Sequence, residues 1–458
     1  MKQRPSLIYL SYALIKAIVF LSLFMGSASS ASVKQGKWNF LVYIAANNNL
    51  YRYGQHNIKE MQQIGSNPNI NIFAQVDNFG KKSVTRYKIE KGHSVVVSTQ
   101  TQPPTNLSGT TENLYDFVKE IISKYPADHL ALVLWNHGSG AKDPHLWRKL
   151  LPYLRENCFY FNPKTNLYEI DRSIVNLRGI AFNDIGHTYI SNPELKTVLE
   201  RISKELLGGK KIDLLGMDAC HMAAVEIGSQ IKNAATYMVG SEEIEPGPGW
   251  DYSKFLSHFA SRSLSPLELA QQIVNAYGEK YNRLFADLTQ SAVNLENYTV
   301  LEQNIDTIAT LSIELLKTTK KHTFLNLLRK VRGNPQQTIS FLDTDYIDLG
   351  SFYKSLAQEM EDQTPPAQQT KRTTQETTLM ENLKEALIEG AKLLTEQVVH
   401  NTTGRNVKSA SGLSIYFPTK SLHTSYLKNS LAQTTNWGNF LHTYLQKHKR
   451  QLTEKYGE

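Results

Sequence analysis

Cysteine is nearly absent from this chain, with two residues, Cys158 and Cys220, among 458. A disulfide framework is therefore excluded as the main source of stability, and a single Cys158–Cys220 bridge would consume both thiols. Long apolar runs are scarce as well. The run from Ala17 to Met25 is too short to span a bilayer comfortably. It follows Lys2, Arg4 and Lys16 and precedes the small residues GSASSAS, the layout of a secretory signal peptide occupying residues 1–31. The expectation is export, to the periplasm or the extracellular medium. No stable membrane anchor is expected after signal removal, and no cysteine follows the run to carry a lipid. An uncleaved amphipathic anchor is the other reading.

A strong charge imbalance is also missing. The formal charge is +8, and residues 1–31 carry three of the positive charges and no negative one, which leaves +5. The remaining Lys and Arg are scattered among acids, and no basic, aromatic-interleaved motif is present, so no nucleic acid partner is expected. There is no D-x-D-x-D-G calcium loop and no G-x-S-x-G elbow, and Cys220-His221 lacks further zinc ligands at usable spacing. The sequons at Asn106, Asn297 and Asn401 matter only in a glycosylating host.

What is present is a folded composition, 41% hydrophobic and 20% charged, in a chain long enough for a large core and two or three domains. Asn39 to Ala46, Asn71 to Val76 and Leu130 to Trp135 read as strands, and Val84–Ile89 with Val95–Val97 as a hairpin-like pair. Thr111 precedes a helix, and Ser191-Asn192-Pro193-Glu194 and Ser265-Pro266-Leu267-Glu268 are helix-opening caps. Strand, helix, strand in this order predicts parallel crossovers, hence an α/β fold with helices on both faces of the sheet. Residues 141–178 contain three prolines and no sustained period, and read as a long loop. Residues 364–378, TPPAQQTKRTTQETT, read as a mobile linker.

The central stretch is DLLGMDACHMAAVEIGSQI, residues 213 to 231, a buried strand running into a helix with Cys220 at the turn. The first amides of a helix favour a thiolate there. The strand LALVLWNHGSG ends in His137, followed by a flexible Gly138-Ser139-Gly140 run that lets backbone amides approach a substrate. If the two strands are neighbours in a parallel sheet, His137 and Cys220 emerge at one carboxyl edge, where open α/β sheets place their sites. A thiol and an imidazole meeting there form a nucleophile with its acid/base partner.

At this point the chain resembles the clostripain-like cysteine peptidases, which share the caspase-like fold with gingipains, legumains and caspases. The resemblance is carried by an ordered set: WNFLVYIAANNNL, LVLWNHGSG, RGIAFND, LLGMDACHMAAVEI, MVGSEEIEPGPGWDY and GLSIYFP, spanning roughly residues 38 to 418. It implies a caspase-like three-layer sandwich with a mostly parallel central sheet over residues 32–253, followed by a mixed α/β carboxy-terminal region, 254–458. It further implies a secreted endopeptidase in which Cys220 attacks the peptide carbonyl and His137 is the general acid/base. The Gly138 and Cys220 amides would hold the oxyanion.

In the same resemblance Asp218 lies on the floor of the pocket that receives the residue before the scissile bond. Peptides or proteins with Arg, or Lys, at that position are then the expected substrates. Asp251, Glu242 or Glu243 would supply a second acid, with Trp250 as a wall. Self-cleavage within 141–178 would fall at Arg148, Lys149, Lys164, Arg172 or Arg178. No cofactor is required by the sequence, and Ca2+ enters only because members of that family can depend on it or respond to it. The family usually carries an aspartate in the turn that here reads Asn47-Asn48-Asn49. Two other readings stay open: an inactive binding protein or effector on the same fold, and a narrow processing peptidase or transpeptidase.

Overall fold

The computed structural model describes residues 36–101, 108–143, 159–170, 180–184, 186–362 and 375–456. The signal-peptide reading of residues 1–31 lies outside the described residues. Residues 36–458 form one compact unit, in which a nine-stranded sheet runs β14-β12-β11-β10-β5-β1-β2-β3-β4. Its centre is parallel: β11 (Ala235–Gly240), β10 (Ile212–Asp218), β5 (His129–Trp135), β1 (Trp38–Ile44) and β2 (Ile70–Asp77). Antiparallel strands close both sides, β3 (Ser83–Glu90) and β4 (His93–Thr101) on one, β12 (Thr289–Asn294) and β14 (Val398–Thr403) on the other.

The parallel strands are near-continuous apolar runs because both of their faces are covered. Successive side chains alternate between the two sides. Leu41, Tyr43, Leu132, Leu134, Leu215 and Met217 enter one core. Phe40, Val42, Ile44, Val133, Trp135 and Leu214 enter the other. Helix α1 (Tyr51–Ile64) covers the second face through Ile58 and Met61. Helix α2 (Thr111–Lys124) covers the first through Leu114, Val118 and Ile121, and α3 (Asn192–Arg201) through Leu195, Val198 and Leu199. The result is the α/β sheet covered on both faces that the sequence pattern predicts, and the three-layer sandwich that the resemblance implies.

Helix α3 opens with the expected box: Ser191 N–H and Oγ–H both donate to Glu194 Oε2, at 2.9 and 2.6 Å. It then passes through a π-helical turn, Ile202–Leu206, and stops at Gly208 and Gly209, whose φ of 62° and 85° only glycine adopts readily. A short antiparallel pair, β8 (Ile180–Asn183) with β9 (Thr188–Ile190), precedes α3; after β10 comes α4 (Val225–Ile231), and after β11 come α5 (Tyr252–Leu256) and α6 (Pro266–Tyr281).

Among the residues beyond 253, β12 and β14 extend the main sheet. Strand β14 escaped the sequence reading because VVHNTT is half-buried and largely polar. The longer carboxy-terminal helices are α7 (Tyr298–Leu315), α8 (Lys321–Gly333), α9 (Leu349–Asp362), α10 (Gln375–Gln397) and α11 (Trp437–Tyr456). They surround a two-stranded pair, β13 (Tyr346–Asp348) with β15 (Ser414–Tyr416). Gln375 to Thr378, expected in the 364–378 linker, open α10; the linker positions before 375 lie outside the described residues.

The 141–178 segment is not wholly irregular. It contains a hairpin, β6 (Phe159–Asn162) and β7 (Leu167–Ile170), joined through an Asn-Pro-Lys-Thr-Asn turn. Four-residue strands are too short to show a period in the sequence. The hairpin is held by Tyr168, whose N–H donates to Leu284 O at 2.6 Å and whose carbonyl accepts from Ala286 N–H at 3.0 Å.

Candidate active site

Strands β5 and β10 are neighbours, with Trp135 opposite Asp218, so the segments that follow them leave the same edge of the sheet. Asn136 N–H donates to Asp218 O at 3.3 Å, and the Asn136 amide reaches Phe182 O at 2.9 Å. Its Oδ1 accepts from His137 N–H at 2.5 Å, which aims the histidine away from the strand. Half-buried His137 contacts Asn49 Oδ1 through Nε2 at 2.9 Å.

The Gly138-Ser139-Gly140 run is pinned. Ser139 Oγ donates to Lys142 O at 2.5 Å, and Tyr346 Oη donates to Ser139 O at 2.8 Å. A Cβ on Gly138 would stand 2.2 Å from Cys220 O, and one on Gly140 2.8 Å from His221 O. The His137 and Cys220 turns are therefore in backbone contact.

Cys220 lies in a turn held from the opposite side by residues 241–245. His221 has φ 60°, its N–H donates to Glu243 O at 3.1 Å, and its ring is buried with Nδ1 2.9 Å from Glu242 O. Burial lowers the His221 pKa. Cys220 Sγ accepts from Glu245 N–H at 3.3 Å and packs against Ile170, Ile244 and Leu342. Helix α4 begins only at Val225, with Ala224 as its cap, and has seven residues. The expectation that Cys220 sits at the first amides of that helix is thus corrected: the helix starts five residues further on, and Glu245 N–H of the 241–251 loop is a donor to the sulfur.

Asp218 is buried. Its Oδ2 accepts from Trp250 N–H at 3.2 Å and from Tyr252 Oη–H at 2.9 Å. The second acid beside it is Glu245, in contact with the Asp218 carboxyl. Burial pushes the Asp218 carboxyl up to about 6, against its hydrogen bonds and the Lys280 charge. Glu245 is raised well above the usual range by burial and by the Asp218 charge. Two buried carboxyls in contact hold one proton between them. Gln290, with its amide nitrogen 3.0 Å from Glu245 Oε1 and its oxygen 2.8 Å from Trp250 Nε1, closes the group.

The acids expected as that partner are used elsewhere. Asp251 caps α5, accepting from Lys254 N–H at 2.9 Å and Ser253 Oγ–H at 2.8 Å. Glu242 accepts from Gly412 N–H at 3.2 Å, and Glu243 from Leu342 N–H at 3.0 and 2.9 Å. Trp250 is fully buried under β10, where a Cβ on Gly216 would meet its ring at 2.8 Å. Among the processing candidates, Lys164 is exposed in the β6–β7 turn, while Arg148, Lys149, Arg172 and Arg178 lie outside the described residues, as does Cys158.

The turn that lacks the family's aspartate is rich in amide contacts. Asn47 Nδ2 donates to Lys81 O at 3.1 Å and its Oδ1 accepts from Gly80 N–H at 3.0 Å. Asn48 Nδ2 donates to Phe182 O at 3.1 Å. Among the described residues no three His, Cys, Asp or Glu side chains gather to hold a metal ion. None of the described helices is long and apolar enough to cross a membrane.

Known proteins resemble this chain in sequence and in fold. The chain is 27% identical over 256 residues to clostripain from Hathewaya histolytica, across 50% of this chain and 43% of clostripain, so the match spans less than half of that relative's length. Two solved structures share the fold at a TM-score of 0.55 and 18% identity. One is a secreted C11 cysteine protease from Bacteroides thetaiotaomicron in complex with an irreversible peptide inhibitor, covering 89% of this chain and 99% of its own. The other is an inactive zymogen C11 protease from Parabacteroides distasonis, covering 90% and 98%. The clostripain family model matches residues 42–166 and 161–448, a span that includes both the His137 and the Cys220 turns, and the chain belongs to the clostripain family.

Proposed function

We propose that this chain is an exported cysteine endopeptidase that cleaves after Arg, or Lys, through Cys220 and His137, and that it matures by cutting itself. The observation that carries the reading is the backbone contact between the turns after β5 and β10, which brings the imidazole-bearing and thiol-bearing segments together at one sheet edge. Cys220 attacks the peptide carbonyl as its proton passes to His137, and the imidazolium returns a proton to the leaving amine. The Gly138 and Cys220 amides are assigned to the developing oxyanion. Water then attacks the acyl-enzyme, with His137 as base.

Preference for a basic side chain is supported by the Asp218 carboxyl two residues from the nucleophile, reinforced by Glu245. A guanidinium entering beside them would displace the shared proton and pair with both carboxylates. Export is supported by the amino-terminal signal pattern, and self-cleavage by the basic residues Arg148, Lys149, Lys164, Arg172 and Arg178 in one segment.

The test is hydrolysis of matched fluorogenic peptides ending in Arg, Lys, Asp or Asn by residues 32–458 with reductant, with and without Ca2+. Arg-selective turnover that disappears in Cys220→Ala, together with a chain that splits between 141 and 178 only when Cys220 is intact, is the expected result. Turnover after Asp or Asn overturns the pocket assignment. No turnover, with Cys220 inert to alkylation at near-neutral pH, overturns the enzyme.

A further inference from the structure

We propose that the cleft between α8 and α11 is a binding site for a small anion bearing two linked phosphate groups. The cleft has a volume of about 110 Å³, where roughly 10–15 Å³ suffices for one water. Lys321 and His322 line it from the first turn of α8, and Lys447 and Arg450 line it from α11. Leu316 and Leu325, both buried, supply its apolar lining. No acid is among the described residues that line it.

The charge pattern here departs from that of the other carboxy-terminal helices. There Lys330 pairs with Glu359, Lys384 with Glu361, and Lys392 with Glu389 and Glu396. None of Lys321, His322, Lys447 and Arg450 makes an ion pair or a side-chain hydrogen bond among the described residues. The first turn of α8 holds no acid and has no side-chain cap, so the helix dipole adds to the charge of Lys321 instead of offsetting it. Glu376, a carboxylate close to that turn, is occupied by Thr319, accepting from its N–H at 2.9 Å and its Oγ–H at 2.6 Å. Cations gathered from two helices over an apolar lining repel one another until an anion enters.

The two helices are tied together without help from a ligand. Gln451, which also lines the cleft, accepts from Arg329 Nη1 through Oε1 at 3.3 Å and donates from Nε2 to Asn326 Oδ1 at 3.1 Å. The chemistry of the donors then selects the anion. A guanidinium presents paired N–H groups that match two phosphate oxygens, ammonium groups add point charges, and a neutral imidazole still donates one ring N–H. A single phosphate brings about 1.5 to 2 negative charges near neutral pH, which leaves part of the charge of Lys321, Lys447 and Arg450 unmatched. Two linked phosphates match it. A nucleic acid strand fits less well, because the cations converge on one hollow and no Phe, Tyr or Trp among the described residues lines it for base stacking.

The test is calorimetric titration of residues 32–458 with inorganic pyrophosphate at about 0.15 M salt. The chain carries Cys220→Ala, so the outcome is independent of the peptidase reading. Pyrophosphate is expected to bind at one saturable site with Kd below about 100 μM, and to raise the thermal midpoint as its concentration rises. Monophosphate should bind at least roughly 10-fold more weakly. Lys447→Ala with Arg450→Ala should weaken pyrophosphate at least roughly 30-fold. Lys449→Ala, exposed on the same helix but outside the cleft, should change its affinity by less than about twofold. An unchanged ligand-free midpoint in these variants separates lost binding from lost folding. ADP distinguishes the sources of the diphosphate: affinity equal to that of pyrophosphate identifies an esterified form as a ligand, and rejection of ADP identifies the inorganic ion. No saturable binding up to about 5 mM, undiminished binding by the double variant, or equal affinity for monophosphate overturns the site. Binding of heparin without binding of pyrophosphate overturns it in favour of an extended polyanion surface.

Discussion

Gly138 and Cys220 touch through their main chains, so closely that any side chain at 138 would enter the carbonyl of the nucleophile's own residue. The turns that carry the thiol and the imidazole are therefore packed backbone against backbone.

Gly138→Ala should displace both turns. The added carbon would also lie 2.9 Å from Met222 Cγ and 3.1 Å from Ala219 Cβ, so neither side can yield cheaply. A destabilisation of about 1–3 kcal/mol is expected from such overpacking, together with a loss of turnover larger than the stability change explains. Thermal melting and kcat on an arginyl peptide check it; native kcat would show that the two turns tolerate separation.

Asp218→Asn and Glu245→Gln separate the two members of the buried acid pair. Asp218→Asn is expected to lower kcat/KM on arginyl peptides by at least roughly 100-fold, because the charge-assisted contact of that carboxylate with the guanidinium is lost. Glu245→Gln should cost less and act mainly on KM. Alkylation of Cys220 should persist in both variants, and equal loss of alkylation and turnover would mean the substitutions disturbed the nucleophile instead of the pocket.

Glu226 makes stability depend on pH. It is fully buried, its Oε1 accepts from Tyr416 N–H at 3.0 Å and Tyr426 Oη–H at 2.8 Å, and Oε2 has no hydrogen-bond partner among the described residues. Burial raises it from 4.5 to about 7. The folded state then holds a proton that the unfolded chain releases earlier, so the stability from this group is complete below pH 4.5 and is lost as pH rises toward 7. Glu226→Gln should flatten that part of the profile by on the order of 3 kcal/mol. Urea midpoints from pH 4 to 8 read it, and an unchanged slope would place the titration elsewhere.

Lys142 ties the His137 segment to the carboxy-terminal region. Its ammonium pairs with Asp343, lies 3.2 Å from Asp345 Oδ2, and sits 5.4 Å from the centre of the Tyr346 ring. Both Lys142 and Asp343 are buried. Lys142→Met leaves Asp343 without its cation and should cost about 3–5 kcal/mol. Double substitution Lys142→Met with Asp343→Leu should recover a large part of it, and chemical denaturation of the four proteins in that cycle decides the matter.

The turns that bear Cys220 and His137 were legible as turns because each ends a short apolar run abruptly, a local feature that needs no knowledge of the partner strand; the roles given to the two side chains came from the resemblance to the clostripain-like peptidases. The caps at Ser191 and Ser265 were legible for the same reason. Glu245 was visible as one of several acids in the 241–251 loop, but nothing local separates it from Glu242, Glu243 and Asp251. All four are polar in a turn-rich stretch, and only the fold decides which of them meets Asp218. The short strands of the β6–β7 hairpin and the polar edge strand β14 carried too little pattern to be read.

The sequence by itself determined the alternation of buried strands and amphipathic helices, the two strand-end turns that bear the thiol and the imidazole, and the freedom from a disulfide framework. These follow from nearest-neighbour chemistry: side-chain period, cap residues and allowed backbone angles. The tertiary structure decided that Glu245 rather than Asp251 faces Asp218, that an amide at Cys220 Sγ comes from residue 245 rather than from α4, and that Asn49 reaches His137. Those contacts join residues 25 to 88 positions apart, and they depend on strand order and loop path, which local periodicity does not encode.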